Sequence, residues 1–378
     1  MKKAIRLSYY SYDSLGNPWV SGGGAVRDFE VLKRFAPHAE ITLYVGRYPG
    51  FKEQTREGVR MWGLGFGSSN WLCRLTFSLA ANIRLLFDQS DILGNSASIY
   101  APVLAGFLRG RRFYSVYHHR VGKGSREKFG AWGKVPELLE KWMFRLGRRY
   151  AVSNASLAAH IHAVNPSAEV FVTSNGFNSN LLSLPSRPAA PPFILFLGRF
   201  DIYMKGLDLL IPAYVKIAAG QGIDLVLAGR STPEALEKIR QMLPGHTGNT
   251  EPGSLGKVRM ETDISETRKA ELLAACLFFC SPSRFEGFGI AALEANAAGK
   301  AVLASDVDGF RASLAFGETA LAIAPGDITA LEFGLSQLVR DAELREKLGR
   351  QGRERAGDFS WDKIAEKEWN WVVTKYRE

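Results

Sequence analysis

Two acidic residues eight positions apart, Glu286 and Glu294, flank a turn whose composition suits the binding of an anion. The turn follows an apolar run at residues 277–280 that is short enough to be a buried strand. Gly287 and Gly289 leave the backbone of the turn bare, and a helix is expected directly after it. Free N–H groups and the helix dipole at such a place favour negative charge. Glutamates at this spacing are also common on solvated helix faces, so the pair alone does not identify a site.

The helix that should follow this turn covers residues 288–298, which are good helix formers, and Gly299 stands where a C-terminal cap is expected. Glu286 would then lie just outside the helix and Glu294 about two turns inside it. One carboxylate can therefore contact the near end of a ligand in the crevice while the other contacts its far end.

Two cations, Arg199 and Lys205, form a second candidate site. Gly198 and Arg199 directly follow an apolar strand run at residues 193–197, and Lys205 with Gly206 precedes a helical pattern. Cations fixed at the carboxyl edge of a sheet can neutralise a diphosphate, arginine through its planar fork and lysine as a point charge. Two unrelated surface cations would give the same residues, so this pair also needs support from another motif.

The N-terminal stretch has the order strand, glycine loop and helix, at residues 3–10, 22–24 and 25–35. This order opens a doubly wound α/β domain. The loop is not G-x-G-x-x-G, and no acidic residue ends the next strand at 41–45, so dinucleotide binding is disfavoured. A later strand at 113–117 ends in two histidines at the edge where open α/β sheets bind ligands, although a histidine there is more often structural.

Short apolar runs alternate with helical patterns along the whole chain, which predicts an α/β fold with two parallel sheets. Residues 183–192 are rich in proline and predict a stiff linker between a domain at 1–182 and a domain at 193–360. Residues 361–378 predict an amphipathic C-terminal helix. Two such domains facing across a linker would form a ligand-binding cleft.

Taken together, these strings resemble the retaining glycosyltransferases of family 4, within glycosyltransferase group 1. That family has the GT-B fold, two Rossmann-like domains that face each other across a cleft. The resemblance rests on Gly198-Arg199…Lys205-Gly206 and on the E-x7-E signature from Glu286 to Glu294, which lie at the family's distance from each other. It implies an acceptor-binding N-terminal domain, completed by the C-terminal helix, and a C-terminal domain that binds a nucleotide-sugar donor.

The resemblance also implies roles for single residues. Glu286 would contact the donor sugar and Glu294 the ribose, while His118 would lie beside the sugar, with His119 as the competing candidate. The implied catalytic residues are His118, Arg199, Lys205 and Glu286. The implied donor-binding residues are Gly23, Gly24, Gly198, Gly287, Phe288, Gly289, Ile290 and Glu294.

No metal or cofactor is expected. Asp306 and Asp308 form a D-x-D pattern, which is weak in isolation and belongs to the other, metal-dependent glycosyltransferase fold. The chain departs from the family pattern at Gly229-Arg230, where a second glycine is common. It departs again at residues 307–313, where a Gly-Gly and a glutamate are usual. Both departures border the expected cleft and bear on the choice of donor.

The composition is that of an ordinary globular protein of two domains, with 378 residues, 46% hydrophobic and 23% charged. The three cysteines, Cys73, Cys276 and Cys280, suit a reducing cytosol, and the last two lie in an apolar run without histidine ligands, so we expect core positions. Neither a signal peptide nor a transmembrane helix is predicted, which indicates a cytoplasmic protein.

The positive charge is concentrated in the first half of the chain. Residues 1–180 hold 24 Lys and Arg against 12 Asp and Glu, and much of the excess lies between Arg109 and Arg149. Tryptophan, leucine and phenylalanine alternate there with basic residues, as in segments that lie on an anionic membrane. The same pattern fits a helix that packs into its own domain, with its basic residues merely solvated. Peripheral contact with an anionic membrane is therefore one of two open interpretations.

The resulting hypothesis is transfer of a sugar from a UDP- or GDP-linked donor to a glycan, lipid-linked or small-molecule acceptor, with retention and without a metal. A GT-B-type nucleotide-sugar epimerase would share the fold and the donor but would need no acceptor. A nicotinamide-dependent oxidoreductase lacks its fingerprint. A non-catalytic sugar-nucleotide or nucleic-acid binding protein would explain the basic half but would not need the two cations and two glutamates together, so nucleic acid is not expected as a partner.

Overall fold

A computed structural model describes residues 4–20, 22–118, 134–243 and 256–377. His119, the competing candidate beside the donor sugar, lies outside these ranges, as does Trp132 of the basic segment considered for membrane contact. The chain divides into two compact units, one formed by Met1–Gly176 with Trp361–Glu378 and the other by Phe177–Ser360. No helix within the described ranges combines the length and apolar character needed to cross a bilayer.

The first unit is built on an eight-stranded sheet of order β3-β4-β2-β1-β5-β6-β7-β8, parallel except for the β3–β4 pair. Its strands are β1 (Ile5–Ser11), β2 (Ala39–Gly46), β3 (Gln54–Arg56), β4 (Val59–Leu64), β5 (Ile92–Ser96), β6 (Phe113–Tyr117), β7 (Arg149–Val152) and β8 (Glu169–Val172). Its helices are α1 (Gly23–Phe35), α2 (Asn70–Phe87), α3 (Lys134–Leu146), α4 (Ala155–Val164) and, from the end of the chain, α12 (Trp361–Arg377); a 3₁₀ segment covers Ala105–Arg112.

Helices cover both faces of this sheet because its strands alternate their side chains between two cores. On β1, Leu7 and Tyr9 pack in one core with α1 and α12, while Tyr10 packs in another with α2. Trp369 of α12 contacts Phe35 of α1, with ring centroids 5.0 Å apart. The C-terminal helix is therefore part of the first unit, as the family resemblance implies.

The second unit is built on a six-stranded sheet of order β11-β10-β9-β12-β13-β14, with parallel neighbours throughout. Its strands are β9 (Phe193–Leu197), β10 (Asp224–Gly229), β11 (Val258–Thr262), β12 (Phe278–Ser281), β13 (Val302–Ser305) and β14 (Ala320–Ile323). Its helices are α5 (Leu207–Ile217), α6 (Pro233–Gln241), α7 (Glu266–Ala275), α8 (Ile290–Ala297), α9 (Asp308–Ser313), α10 (Ile328–Arg340) and α11 (Ala342–Ala356). Buried strands of this kind have near-continuous apolar sequences, which is why β9 and β12 were recognisable from the sequence.

The first crossing between the units lies at Gly176–Phe177, earlier than the sequence boundary at residue 182. Phe177 and Leu181 are buried in the core of the second unit, which fixes these residues there. The proline-rich residues 183–192 also belong to this unit: the amide of Arg187 donates to the carbonyl of Ala274, 3.0 Å away, at the end of α7. The segment predicted as a linker is therefore packed against the second unit.

Candidate active site

The two strongest motifs meet at the carboxyl edge of the second sheet. Strands β9 and β12 are hydrogen-bonded neighbours, so the segments that follow them leave the sheet side by side. The Lys205 Nζ donates to Glu286 Oε2 at 2.7 Å, across 81 residues of sequence. Both side chains are about one fifth exposed, so the pair is accessible to a ligand while partly shielded from water.

Gly206 makes this approach possible. It has φ of +67° and caps α5, and a Cβ at this position would collide with the carbonyl oxygen of Pro282. Only glycine meets both requirements without strain. The backbones of the two segments are also joined directly, because the Arg284 amide donates to the Met204 carbonyl at 2.9 Å. The Arg284 guanidinium adds a bidentate pair with Asp208, with both distances 2.8 Å.

The turn between Glu286 and the next helix is held open by glycine. Gly289, with φ of +84°, is the N-cap of α8, so the helix begins at Ile290, two residues later than the sequence suggested. The side chain of Phe288 is buried in the core, so that only its backbone is available to a donor. The Gly287 amide donates to Glu286 Oε1 at 3.1 Å. Each oxygen of the Glu286 carboxylate therefore accepts one hydrogen bond within the chain.

Glu294 lies deeper than Glu286 and has its own cation. It is 7% exposed and accepts from the Lys269 Nζ at 2.6 Å. Burial raises the pKa of Glu294 above its ordinary value, against the lowering effect of the Lys269 ammonium. Burial would lower the pKa of Lys269, but the carboxylates of Glu294 and Glu266 outweigh it and the pKa is raised. The sequence did not single out Lys269, because it lies on a different helix, 25 residues away.

Arg199 follows β9, at the same edge of the sheet as Lys205. Its side chain is exposed and has no hydrogen bond or ion pair to any other described residue. The Arg199 guanidinium forms neither a hydrogen bond nor an ion pair with Glu286. Gly198, before it, donates its amide to the Ala228 carbonyl at 3.0 Å, which ties this segment to the end of β10. Arg199 is thus held at its backbone and free at its guanidinium.

Candidate residues of the first unit form a cluster of their own. His118 follows β6, and a Cβ on Gly24, in the first turn of α1, would lie 3.2 Å from the His118 ring. The His118 Nε2 lies 3.0 Å from the Ser96 Oγ and 3.6 Å from Asp28 Oδ1. Gly23 begins α1, two residues earlier than predicted. The glycine loop and the histidine, linked in the sequence only by resemblance, therefore lie together.

Asp28 is the main residue that the sequence did not reveal. It is 2% exposed and accepts from the Tyr9 hydroxyl at 3.0 Å and the Ser11 hydroxyl at 3.2 Å. Burial by itself would raise the pKa of Asp28, but His118 and then Arg27 outweigh burial and hold the pKa of this carboxyl below its ordinary value. An acidic residue in a helix that otherwise looks amphipathic resembles a surface charge, so nothing in the sequence marked it.

Asp306 and Asp308 are both close to a cation of the chain itself. Arg311 donates to the two carboxylate oxygens of Asp306 at 2.6 and 2.8 Å and lies 3.8 Å from Asp308. Within the described ranges no three His, Cys, Asp or Glu side chains are grouped so that they could hold a metal ion. Cys276 and Cys280 are buried, and burial raises the pKa of the Cys276 thiol to about 12. These cysteines are core residues, as expected.

Residues 185–355, within the second unit, match the model of the family described as glycosyl transferases group 1. The phosphatidyl-myo-inositol mannosyltransferase of Mycobacterium leprae is 30% identical over 234 residues, which are 60% of this chain and 59% of that protein. The corresponding protein of Mycolicibacterium smegmatis is 32% identical over 46% of this chain and 42% of its own length. The chain therefore spans less than two thirds of these curated relatives.

Solved structures extend the similarity to both units. Sucrose-phosphate synthase from Thermosynechococcus elongatus has a TM-score of 0.80 at 19% identity, covering 98% of this chain and 99% of that one. Anabaena HepE, solved in complex with UDP-glucose, has a TM-score of 0.73 at 17% identity, covering 97% and 99%. At these identities the likeness concerns the fold, and it confirms the predicted architecture of two Rossmann-like domains.

Proposed function

We propose that the chain is a group 1 glycosyltransferase that moves a sugar from a nucleotide-diphosphate donor to an acceptor with retention of anomeric configuration. The family match at residues 185–355 and the GT-B fold support this proposal. The observation that carries this proposal is the contact of 2.7 Å between Lys205 and Glu286. An ammonium and a carboxylate this close can contact adjacent parts of one ligand, a phosphate and a sugar hydroxyl. The donor is UDP- or GDP-linked, and no metal is required.

The proposed chemistry depends on charge that grows on the departing diphosphate. Lys205, the exposed guanidinium of Arg199 and the backbone N–H groups of Gly287 and Gly289 would stabilise that charge. Each such donor is worth about 3–4 kcal/mol of barrier when its geometry is preorganised. Gly206 and the Arg284–Asp208 pair supply the preorganisation, because they fix the backbone that carries Lys205 against the segment that carries Glu286.

Glu286 is proposed to bind the sugar and not to attack it. Its two carboxylate oxygens accept from Lys205 and from the Gly287 amide, so each oxygen already has a hydrogen-bond partner within the chain. Retention would then follow attack of the acceptor on the same face as the leaving group, without a covalent intermediate. Glu294 is proposed to accept from the ribose hydroxyls. A place for His118 beside the donor sugar stays a prediction from the resemblance.

The acceptor is proposed to be a glycan, a lipid-linked sugar or a small molecule. The name of the M. leprae relative specifies a lipid acceptor for that protein, which makes a membrane-bound acceptor worth testing here. The basic segment found in the sequence agrees with this. On α3, Leu138 and Trp142 are exposed beside Lys141 and Arg145, while Met143 and Phe144 face the core. We propose that the first unit contacts an anionic membrane.

The donor is tested first by thermal shift with UDP, GDP and ADP. A nucleotide at 100 times its dissociation constant stabilises the fold by about 2.7 kcal/mol, and the base that gives the larger shift identifies the donor class. Release of nucleotide from UDP- and GDP-sugars in the absence of acceptor then tests the site. The variants Lys205→Ala and Glu286→Ala should each lose about 10²–10³-fold in rate.

The matched controls are Lys216→Ala and Glu332→Ala. These two residues form an exposed ion pair of 2.5 Å in the same unit, so each variant removes the same kind of side chain from a pair with no proposed role. Both control variants should keep wild-type turnover. Retained turnover in Lys205→Ala and Glu286→Ala would reject the site, and a stabilising shift with NAD would point to the oxidoreductase alternative.

A further inference from the structure

Helix α2 of the first unit presents a continuous apolar stripe to solvent. Its inner residues Phe77, Ala81 and Leu85 are buried against the sheet. The opposite side carries large apolar residues at helical spacing, and Trp71 and Phe87 at the two ends are 72% and 77% exposed. The exposed members of this stripe are Trp71, Leu75, Leu79, Ile83, Leu86 and Phe87. Exposed apolar patches of this extent mark surfaces that meet a membrane or a partner.

The charged side chains within the two segments that carry this apolar surface are all arginines. Neither α2 nor the neighbouring 3₁₀ segment Ala105–Arg112 contains an Asp or Glu, and together they carry five arginines. Leu108 in the 3₁₀ segment is 79% exposed and extends the apolar surface, with Arg111 and Arg112 exposed close by in sequence. Arg109 ties this segment to α2 by donating to the Leu86 carbonyl at 2.9 Å. We call α2 and Ala105–Arg112 together the α2 face.

The α2 face and the exposed side of α3 belong to one layer of the first unit. Phe113 and Tyr117 lie on the same side of β6, because side chains two apart in a strand share a face. Phe113 packs in the core under α2, and Tyr117 packs in the core under α3. Two apolar stripes on the same side of one sheet, each accompanied by basic residues, fit a broad planar surface better than a single peptide or helix.

A cavity of about 740 Å³ adjoins the C-terminal half of the stripe. Ile83, Arg84 and Phe87 of α2 line it, together with Arg6 and Arg60 of the sheet. Its lining also includes Ser8 and Thr42, which are partners in the β1–β2 register, and two carboxylates, Glu40 and Asp88. Asp88 is engaged, since it accepts from the Tyr10 hydroxyl at 2.6 Å. The arginines and hydroxyls of this cavity can donate to a phosphate that lies at the edge of the apolar stripe.

We propose that the α2 face docks on the surface of a bilayer that contains anionic phospholipid, with its apolar residues at the acyl boundary and its arginines among the headgroups. This rests on the membrane contact under the proposed function and places its main surface on α2, which the sequence did not single out. The five arginines of the α2 face, which contains no Asp or Glu of its own, favour an anionic surface. The uninterrupted apolar side of α2, 18 residues long, supplies an area that one lipid-facing side chain could not.

Co-sedimentation of the full chain with vesicles tests this proposal. We expect binding to vesicles of equal parts phosphatidylcholine and phosphatidylglycerol, at least tenfold weaker binding to phosphatidylcholine alone, and weakening by salt. The double variant Leu79→Ser/Ile83→Ser should weaken binding at least tenfold. Arg111→Gln/Arg112→Gln should weaken it by about fivefold for each arginine. The matched control is Phe333→Ser, because Phe333 is 66% exposed on α10 of the second unit, and it should bind as wild type does.

Further measurements separate the alternatives. If Leu138→Ser/Trp142→Ser on α3 abolishes binding and Leu79→Ser/Ile83→Ser leaves it intact, the surface is α3 and the proposal is wrong. It is also wrong if the chain binds no vesicles, or if sedimentation velocity shows a dimer that Leu79→Ser/Ile83→Ser dissociates. Donor hydrolysis should be unchanged in the α2 variants. The two proposals can fail separately. Retained hydrolysis in Lys205→Ala would reject the enzyme assignment, whereas intact vesicle binding in the α2 variants would reject the docking face.

Discussion

The buried ion pair between Arg27 of α1 and Glu368 of α12 should decide whether the C-terminal helix stays on the first unit. Both side chains are at most 2% exposed, and the Arg27 guanidinium donates to the Glu368 carboxylate. Glu368 also accepts from the Thr173 hydroxyl at 3.1 Å. In the variant Glu368→Leu an apolar side chain fills the same space, but Arg27 loses this partner.

The expected loss follows from what remains around Arg27. Removal of one partner from a buried pair costs about 3–5 kcal/mol, because the other charge stays buried. Asp28 Oδ1 lies 3.7 Å from Arg27 and offers partial compensation, so we expect the lower end, about 3 kcal/mol. The double variant Arg27→Met/Glu368→Leu should recover about 2 kcal/mol of this loss, because it removes both charges and keeps the packing.

Tryptophan fluorescence in urea is a specific assay for this change. All eight tryptophans lie outside Phe177–Ser360, so the signal reports only the first unit, and three of them lie on α12. Far-ultraviolet circular dichroism reports both units and should become biphasic in Glu368→Leu, as the first unit unfolds earlier. A loss below about 1 kcal/mol, or a double variant as unstable as the sum of the two single ones, would refute the reasoning.

Three further outcomes are expected. Gly206→Ala should lower donor hydrolysis at least tenfold. Gly222 has a similar positive φ but open space around it, so Gly222→Ala should lose only stability. Equal hydrolysis in the two variants would contradict the collision argument. Folding lowers the pKa of Asp28, so the stabilisation from its carboxylate is complete above about pH 4 and is lost as the pH falls through the folded pKa. In urea unfolding, the stability of Asp28→Asn should therefore fall less steeply below about pH 4 than that of the wild type. Burial raises the pKa of Glu294, and the Lys269 ammonium opposes this rise. In Lys269→Met the loss of UDP affinity on acidification should therefore move to higher pH, as measured by calorimetry from pH 5 to 8. An unchanged midpoint pH would reject the coupling of Lys269 to Glu294.

Much of the architecture could be read from the sequence because it is written in local patterns. Buried parallel strands are continuous apolar runs, and both β6 and β9 were predicted with the bounds that the structure shows. The strands that were not predicted include Gln54–Arg56, which is fully exposed, and Val258–Thr262, which is polar at alternate positions. An edge strand pairs with a neighbour on one side only, so its sequence shows a weaker strand pattern.

For the candidate site, too, only part of the arrangement could be predicted from the sequence. The residue types and spacing of Lys205, Glu286 and Glu294 were visible in the sequence, together with the family that they indicate. The contact between Lys205 and Glu286 depends on the pairing of β9 with β12 and on a glycine that lets two backbones touch. The partner of Glu294, the acid beside His118 and the outward face of α2 depend on which helices pack together. The sequence by itself determined the repeating β/α units and the reactive residue types, since these follow from neighbours in the chain. Only the tertiary structure decided the pairing of charges and the exposed apolar surface, because burial and proximity arise between residues that are far apart in the chain.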